Sequence, residues 1–184
     1  IKVGQESEHN QGEKNSGVLT IKASTFKSCF LQTDGYDSNA KMFVYDSTIR
    51  SSKVQGTYPR SEEIYFMRSM IIDTTLNHDS YHKGFIIENS TMENADFSDG
   101  CCNPGFRVKG STILNSKSTA GRDTFGSFEN TAFINASLGN LARTSIDNCT
   151  FDFYAKPQQS SSGCCGGSST VPEYHLSGQL NSIT

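Results

Sequence analysis

Tryptophan is absent from this chain, and apolar residues fill only 34% of its 184 positions. An ordinary sandwich or α/β domain of this length carries a richer core. No apolar run approaches the roughly 18 residues that a membrane-spanning helix needs, so we expect no membrane insertion. Charge of one sign is also lacking. Sixteen Lys and Arg face nineteen Asp and Glu, for a net charge of -3 and a pI near 5.8. That balance gives no electrostatic hold on nucleic acid or on acidic membranes. No segment keeps apolar residues at i, i+3, i+4 and i+7 for three turns, so amphipathic helices are not expected. The Leu-rich consensus of a leucine-rich repeat is missing as well. No signal-peptide pattern is present and the first residue is Ile1. We read the chain as a piece or processed product of something longer.

Six cysteines are present, but none in the C-x-x-C spacing of a zinc knuckle or redox motif. Cys101–Cys102 and Cys164–Cys165 are adjacent pairs, expected as free thiols or loop cross-links. Cys29 and Cys149 stand alone. No metal site and no cofactor are expected.

What the chain does have is repetition. Phe26, Ile49, Ile71, Met92, Ile113, Phe133 and Phe151 each follow a Ser-Thr-like pair, at spacings of 23, 22, 21, 21, 20 and 18. With these residues as position 0, the columns align. Position −7 holds Leu19, Met42, Ile64, Phe85, Phe106, Gly126 and Thr144. Position −5 holds Ile21, Val44, Phe66, Ile87, Val108, Phe128 and Ile146. Position −2 holds Ser24, Ser47, Ser69, Ser90, Ser111, Thr131 and Cys149. Position +3 holds small residues from Cys29 to Ala136, and position +5 runs from Leu31 to Leu138.

Side chains alternate along a strand with period two, so −7 and −5 share one side. Position 0 and position −2 share one side of a second strand. Between the strands, position −3 holds Ala23, Asp46, Arg68, Asn89, Gly110, Asn130 and Asn148. Asn, Asp and Gly tolerate positive φ, so a one-residue left-handed corner is expected in most turns. Position +2 repeats the signal with Asp73, Asn94, Asn115 and Asn135. Such corners are too short to reverse the chain into hairpins. Each turn must return above its predecessor, which defines a parallel β-solenoid of about seven turns over residues 17–155. Residues 1–16 form a polar lead-in, and residues 156–184 a Ser/Gly-rich loop and tail. Positions −7, −5, 0 and +5 should be buried. The small residues at −2 and +3 should line narrow corners, with Cys29 and Cys149 as inert buried thiols.

The segments "LTIKASTFKSC", "FVYDSTIRSS", "FIIENSTMENA", "FRVKGSTILNS", "FENTAFINAS" and "TSIDNCTFDF" resemble the right-handed parallel β-helix superfamily. That superfamily includes pectate lyases, polygalacturonases and bacteriophage tailspikes. The resemblance implies right-handed coiling, and it is specific for fold rather than function. The reading it suggests is a tailspike or tail-fibre module on a virion tail that binds bacterial surface polysaccharide. The alternatives are a secreted polysaccharide lyase or glycoside hydrolase, and a structural spacer of a surface fibre.

Outward columns carry the candidate chemistry. Position −4 ends in the charged ladder Glu88, Lys109, Glu129 and Asp147. Glu129 and Asp147 fall on neighbouring turns, within reach of an acid–base or nucleophile pair. The same alternation also relieves like-charge stacking on a solvated stripe. No cluster of three Asp flanks Arg107 or Lys109, so no lyase residue is carried over from the family. Loop residues Tyr36, Tyr58, Tyr81 and His82, with Glu88 and Lys109, are carbohydrate-binding candidates. Phe43, Tyr65 and Ile86 at −6, and Ile72, Leu114 and Ile134 at +1, form two outward apolar rows. Rows of this kind mark interfaces, and we expect a homotrimer. Asn89, Asn135 and Asn148 lie in glycosylation-type sequons, which we read as accidents of the corner columns.

Overall fold

A computed structural model describes residues 1–3, 17–34, 41–57, 63–79, 84–99, 105–118, 125–136, 144–155 and 174–183. The described residues form strands and corners, with no helix among them. The chain enters as β1 (Lys2–Val3). The first turn is β2 (Val18–Lys22), β3 (Thr25–Lys27) and β4 (Phe30–Asp34). The second is β5 (Lys41–Tyr45), β6 (Thr48–Arg50) and β7 (Lys53–Thr57). The third is β8 (Glu63–Met67), β9 (Met70–Ile72) and β10 (Thr75–Asp79). The fourth is β11 (Phe85–Glu88), β12 (Thr91–Glu93) and β13 (Asp96–Asp99). The fifth is β14 (Gly105–Lys109), β15 (Thr112–Leu114) and β16 (Lys117–Ser118). Then come β17 (Phe125–Glu129) and β18 (Ala132–Ile134), the long strand β19 (Thr144–Ala155), and β20 (Tyr174–Ile183).

The strands stack as three limbs. The first limb runs β2-β5-β8-β11-β14-β17-β19, the second β3-β6-β9-β12-β15-β18-β19, and the third β1-β4-β7-β10-β13-β16. Pairing within the limbs is parallel, with register partners one repeat apart: Phe85 meets Ile64 below and Phe106 above. The molecule is therefore an all-β parallel β-solenoid. Among the described residues five turns carry all three strands, fewer than the about seven turns expected. The sixth turn has no described third strand, and the seventh is the single continuous strand β19.

The core follows the columns. Met42, Ile64 and Phe85 at −7, Val44, Phe66 and Ile87 at −5, and Ile49, Ile71 and Met92 at 0 are fully buried. Leu31, Val54 and Leu76 at +5 are fully buried too. Register stacking places aromatic rings in files: Phe85 lies 5.6 Å from Phe106, and Phe133 lies 4.8 Å from Phe151 with parallel planes. Gly84 at −8 stands where a Cβ would come within 1.9 Å of the Gly105 carbonyl oxygen. The main chain passes too close there for any side chain.

All thirteen described positive-φ residues lie in the two corner columns, seven at −3 and six at +2. Ser28 and Ser51 join the four +2 residues read from the sequence, although serine has no special preference for this region. Ala23 and Arg68 also adopt it at −3, at a cost of about 1–2 kcal/mol each. Arg68 recovers part of that cost through a bidentate contact with Asp46, at 2.7 and 2.9 Å.

The inward serines do more than fit a narrow corner. A left-handed residue turns the following N–H away from the strand ladder and into the interior, where an unpaired donor is costly. The next turn's hydroxyl takes it. Ser24, Ser47, Ser69 and Ser90 donate their N–H groups to the Oγ atoms of Ser47, Ser69, Ser90 and Ser111, at 3.0–3.3 Å. Each of these hydroxyls, from Ser47 to Ser111, donates to the carbonyl two residues before it in its own turn, at 2.6–2.9 Å. Position +3 uses the same device at its corner. Cys29 N–H donates to Ser52 Oγ and Ala95 N–H to Ser116 Oγ, at 3.0 and 3.1 Å. Cys149 is buried as expected, whereas Cys29 is only half-buried because it lies in the first turn. Both are free thiols.

The C-terminal end is closed by a strand that the sequence pattern did not contain. β20 runs antiparallel along β19 from Ile146↔Ile183 to Ala155↔Tyr174. Since β19 serves both the first and second limbs, β20 covers the last edge of both.

Ser111→Ala is expected to lower stability by roughly 1–3 kcal/mol, because it leaves the buried Ser90 N–H without an acceptor. Ala95→Ser, which adds a hydroxyl to the +3 column, is expected to raise it by about 0.5–1.5 kcal/mol. Chemical denaturation measures both changes. Unchanged stability in both variants would contradict the role assigned to the hydroxyls.

Candidate functional site

The outer face of the first limb carries positions −8, −6 and −4. Within it, Phe43, Tyr65 and Ile86 are consecutive register partners and all half-buried. The Phe43 and Tyr65 rings stack at 4.7 Å, and the Phe43 and Tyr45 rings lie parallel at 6.0 Å. Lys22 places its ammonium 5.7 Å from the Tyr45 ring centre. This file ends at Thr20 on one side and Arg107 on the other. The apolar row expected at −6 is therefore continuous over three turns.

The Tyr65 hydroxyl donates to Glu63 Oε2, and the same oxygen lies 3.4 Å from Lys41 Nζ. Burial pushes the Tyr65 pKa up, the hydrogen bond to Glu63 and the charge of Glu63 push it further, and nearby Arg107 opposes them. The result is about 12, against an ordinary 10.0.

Above the aromatic cluster the face becomes charged. Glu88, Lys109, Glu129 and Asp147 are register partners in sequence along the axis. Lys109 Nζ sits 2.8 Å from Glu129 Oε1, and this contact raises the Lys109 pKa. Asn130 Nδ2 donates to the same Glu129 oxygen at 3.2 Å. Glu129 and Asp147 thus occupy adjacent turns, as the repeat requires. Glu129 is engaged by a cation and an amide rather than held apart from them, which is the pattern of a paired-charge stripe.

The second apolar row is different. Ile72 and Leu114 are not register neighbours, because Glu93 pairs with both of them. Arg50 lies on the other side of Ile72. Only Leu114 and Ile134 adjoin directly, and Ile134 is 40% exposed. This row also lies on the second limb, across the −3 corner from Phe43, Tyr65 and Ile86. The expected pair of continuous rows is therefore one continuous row and one interrupted one. The spacing skipped a turn between Ile72 and Leu114, and that turn supplies the carboxylate.

Tyr36, Tyr58, Tyr81 and His82 lie outside the described residues, as do the Cys101–Cys102 and Cys164–Cys165 pairs. Among the described residues, no group of three or more His, Cys, Asp or Glu side chains is placed to hold a metal ion. Sequence reasoning missed Tyr45, Glu63 and Lys41 as members of the aromatic face. The signal was present, since all three fall on outward positions of the same strands as Phe43 and Tyr65. No protein-family model, curated protein or solved structure matches the chain.

Tyr65 is expected to ionise near pH 12, and Glu63→Gln should move it back towards 10. The raised pKa gives stability that is fully present below pH 10 and is lost as pH rises through 12. NMR titration of labelled tyrosine checks this. A Tyr65 midpoint near 10 in the unaltered protein would contradict the hydrogen bond.

Proposed function

We propose that this solenoid is a module of a bacteriophage tailspike or tail fibre that binds bacterial surface polysaccharide as a homotrimer. The observation that carries this reading is the outer face of the first limb. There a continuous apolar file at −6 and a charge-paired ladder at −4 run side by side along the stack of strands. A long linear polymer meets such a periodic face at many equivalent points. Glu88, Lys109, Glu129 and Asp147 offer fixed hydrogen-bond donors and acceptors to sugar hydroxyls. Phe43, Tyr65 and Ile86 offer a lateral apolar contact, each residue contributing about 1.5–3 kcal/mol when fully buried. Cyclic symmetry would repeat that contact at three interfaces. The Lys109–Glu129 contact favours binding over catalysis, because it neutralises one member of the only carboxylate pair on adjacent turns of the described charged ladder.

Incubation with a panel of bacterial polysaccharides, read by retention on immobilised polymer and by release of reducing ends, separates the readings. Retention without new reducing ends supports the proposal, and Lys109→Glu should weaken it at least several-fold. Reducing-end release abolished by Glu129→Gln or Asp147→Asn would replace the binder with a hydrolase or lyase. No retention on any polymer would leave the structural spacer.

Sedimentation should give about three times the 20.1 kDa chain mass, and Tyr65→Asp should shift it towards monomer. A monomer unaffected by Tyr65→Asp would overturn the trimer.

A further inference from the structure

Most charges on the outer face of the first limb are neutralised within the chain. Lys41 lies 3.4 Å from Glu63, and Lys22 stands over the Tyr45 ring at 5.7 Å. Lys109 lies 2.8 Å from Glu129, and the nearby charge of Glu88 acts on it as well. Among the described residues of this face, Arg107 at −6 and Asp147 at −4 are the charged side chains left without an ion pair. Both are exposed, and Asp147 stays so although β20 runs beside it, with Ser182 as its register partner.

The register fixes their separation. Arg107 pairs with Ser127, Lys109 with Glu129, and Glu129 with Asp147. Arg107 and Asp147 therefore stand two turns apart along the axis and one outward column apart along the strand. Strand and residue spacings put their backbone positions roughly 12 Å from each other. Ser127 and the Lys109–Glu129 pair occupy the surface between them.

We infer that the polysaccharide taken by this face carries both signs of charge in its repeat, an acid group for Arg107 and a protonated amine for Asp147. This rests on the polysaccharide-binding reading above and names the class of polymer. The other classes meet a conflict. A polyanion that reaches Arg107 runs on to Glu129 and Asp147, where like charges repel. A polycation meets the reverse conflict at Arg107 and Lys109. A neutral chain covers Arg107 and Asp147 without supplying a counter-charge, and desolvating an unpaired ion is costly. A chain of mixed sign satisfies both ends, which is the complementarity that sets specificity at charged surfaces. Its hydroxyls between the two charges meet Ser127 and the Lys109–Glu129 pair. One disaccharide bearing an acid and an amine spans a distance of this order.

Four polymers immobilised at low salt test the inference. Hyaluronan is acidic only, chitosan is cationic only and dextran is neutral. De-N-acetylated hyaluronan keeps the hyaluronan backbone but carries an acid and an amine in each disaccharide. The full chain should bind it at least tenfold more tightly than the other three. Asp147→Lys should move the preference to hyaluronan, and Arg107→Glu should move it to chitosan. Both positions are exposed, so circular dichroism should stay unchanged. Equal binding to a neutral or single-sign polymer, or a preference that neither substitution moves, would overturn the inference and leave the polysaccharide-binding reading in place. Binding to none of the four would overturn it too, and the bacterial panel then decides the wider reading alone.

Discussion

The bond from a corner N–H to the hydroxyl of the following turn is the constraint from which the rest of this fold follows. A parallel coil must bend without reversing, and a single left-handed residue is the shortest way to do so. That bend diverts one N–H per corner out of the ladder and into the interior. Water does not reach it there, and an apolar neighbour would leave it unpaired at roughly 1–3 kcal/mol. Ser47, Ser69, Ser90 and Ser111 meet the need in successive turns. Each hydroxyl also ties its own turn to itself through the carbonyl two residues before it. The corner is thereby linked both along the axis and within the turn.

The low apolar content follows from the same arrangement. Part of the interior is given to hydroxyl files, so the core is a thin set of apolar files between them. Because each turn covers the next, burial depends on having neighbours on both sides. Met42 and Ile49 in the second turn are fully buried, whereas Leu19 and Phe26 in the first are not. The outer faces inherit the register of the core. Opposite charges therefore meet across turns, as in Arg68 with Asp46 and Lys109 with Glu129, and aromatic rings fall into files, as in Phe43 with Tyr65. Each outer position therefore repeats as a file of side chains parallel to the axis.

Much of this was legible before any coordinates. Inward columns and left-handed corners are written in residue types with strong local reasons: Asn, Asp and Gly at positive φ, and Ile, Val and Phe on a buried strand face. Ser28 and Ser51 were not legible, because serine carries no preference for the left-handed region and follows its column neighbours. The serine files were legible as small and inward, but their hydrogen bonds depend on register between turns, which a column of letters does not show. β20 was not legible because the segment YHLSGQLNSI shares no column with the repeat and pairs antiparallel. Of the candidate site, the −6 and −4 files were legible as lines. Glu63, which adds to the effect of burial on the ionisation of Tyr65, and Lys41, which pairs with Glu63, were outward at −8 and easily passed over. Glu93, which breaks the +1 row, was hidden by joining Ile72 directly to Leu114.

Amide hydrogen exchange at Ser69 and Ser90 in the folded chain tests the central claim most directly. Both N–H groups sit at corners, outside the strand ladder, and both are assigned to a hydroxyl of the next turn. The account predicts protection within about tenfold of the strand amides of Ile87 and Val108. Exchange at the rate of an open turn, with Ile87 and Val108 still protected, would contradict it.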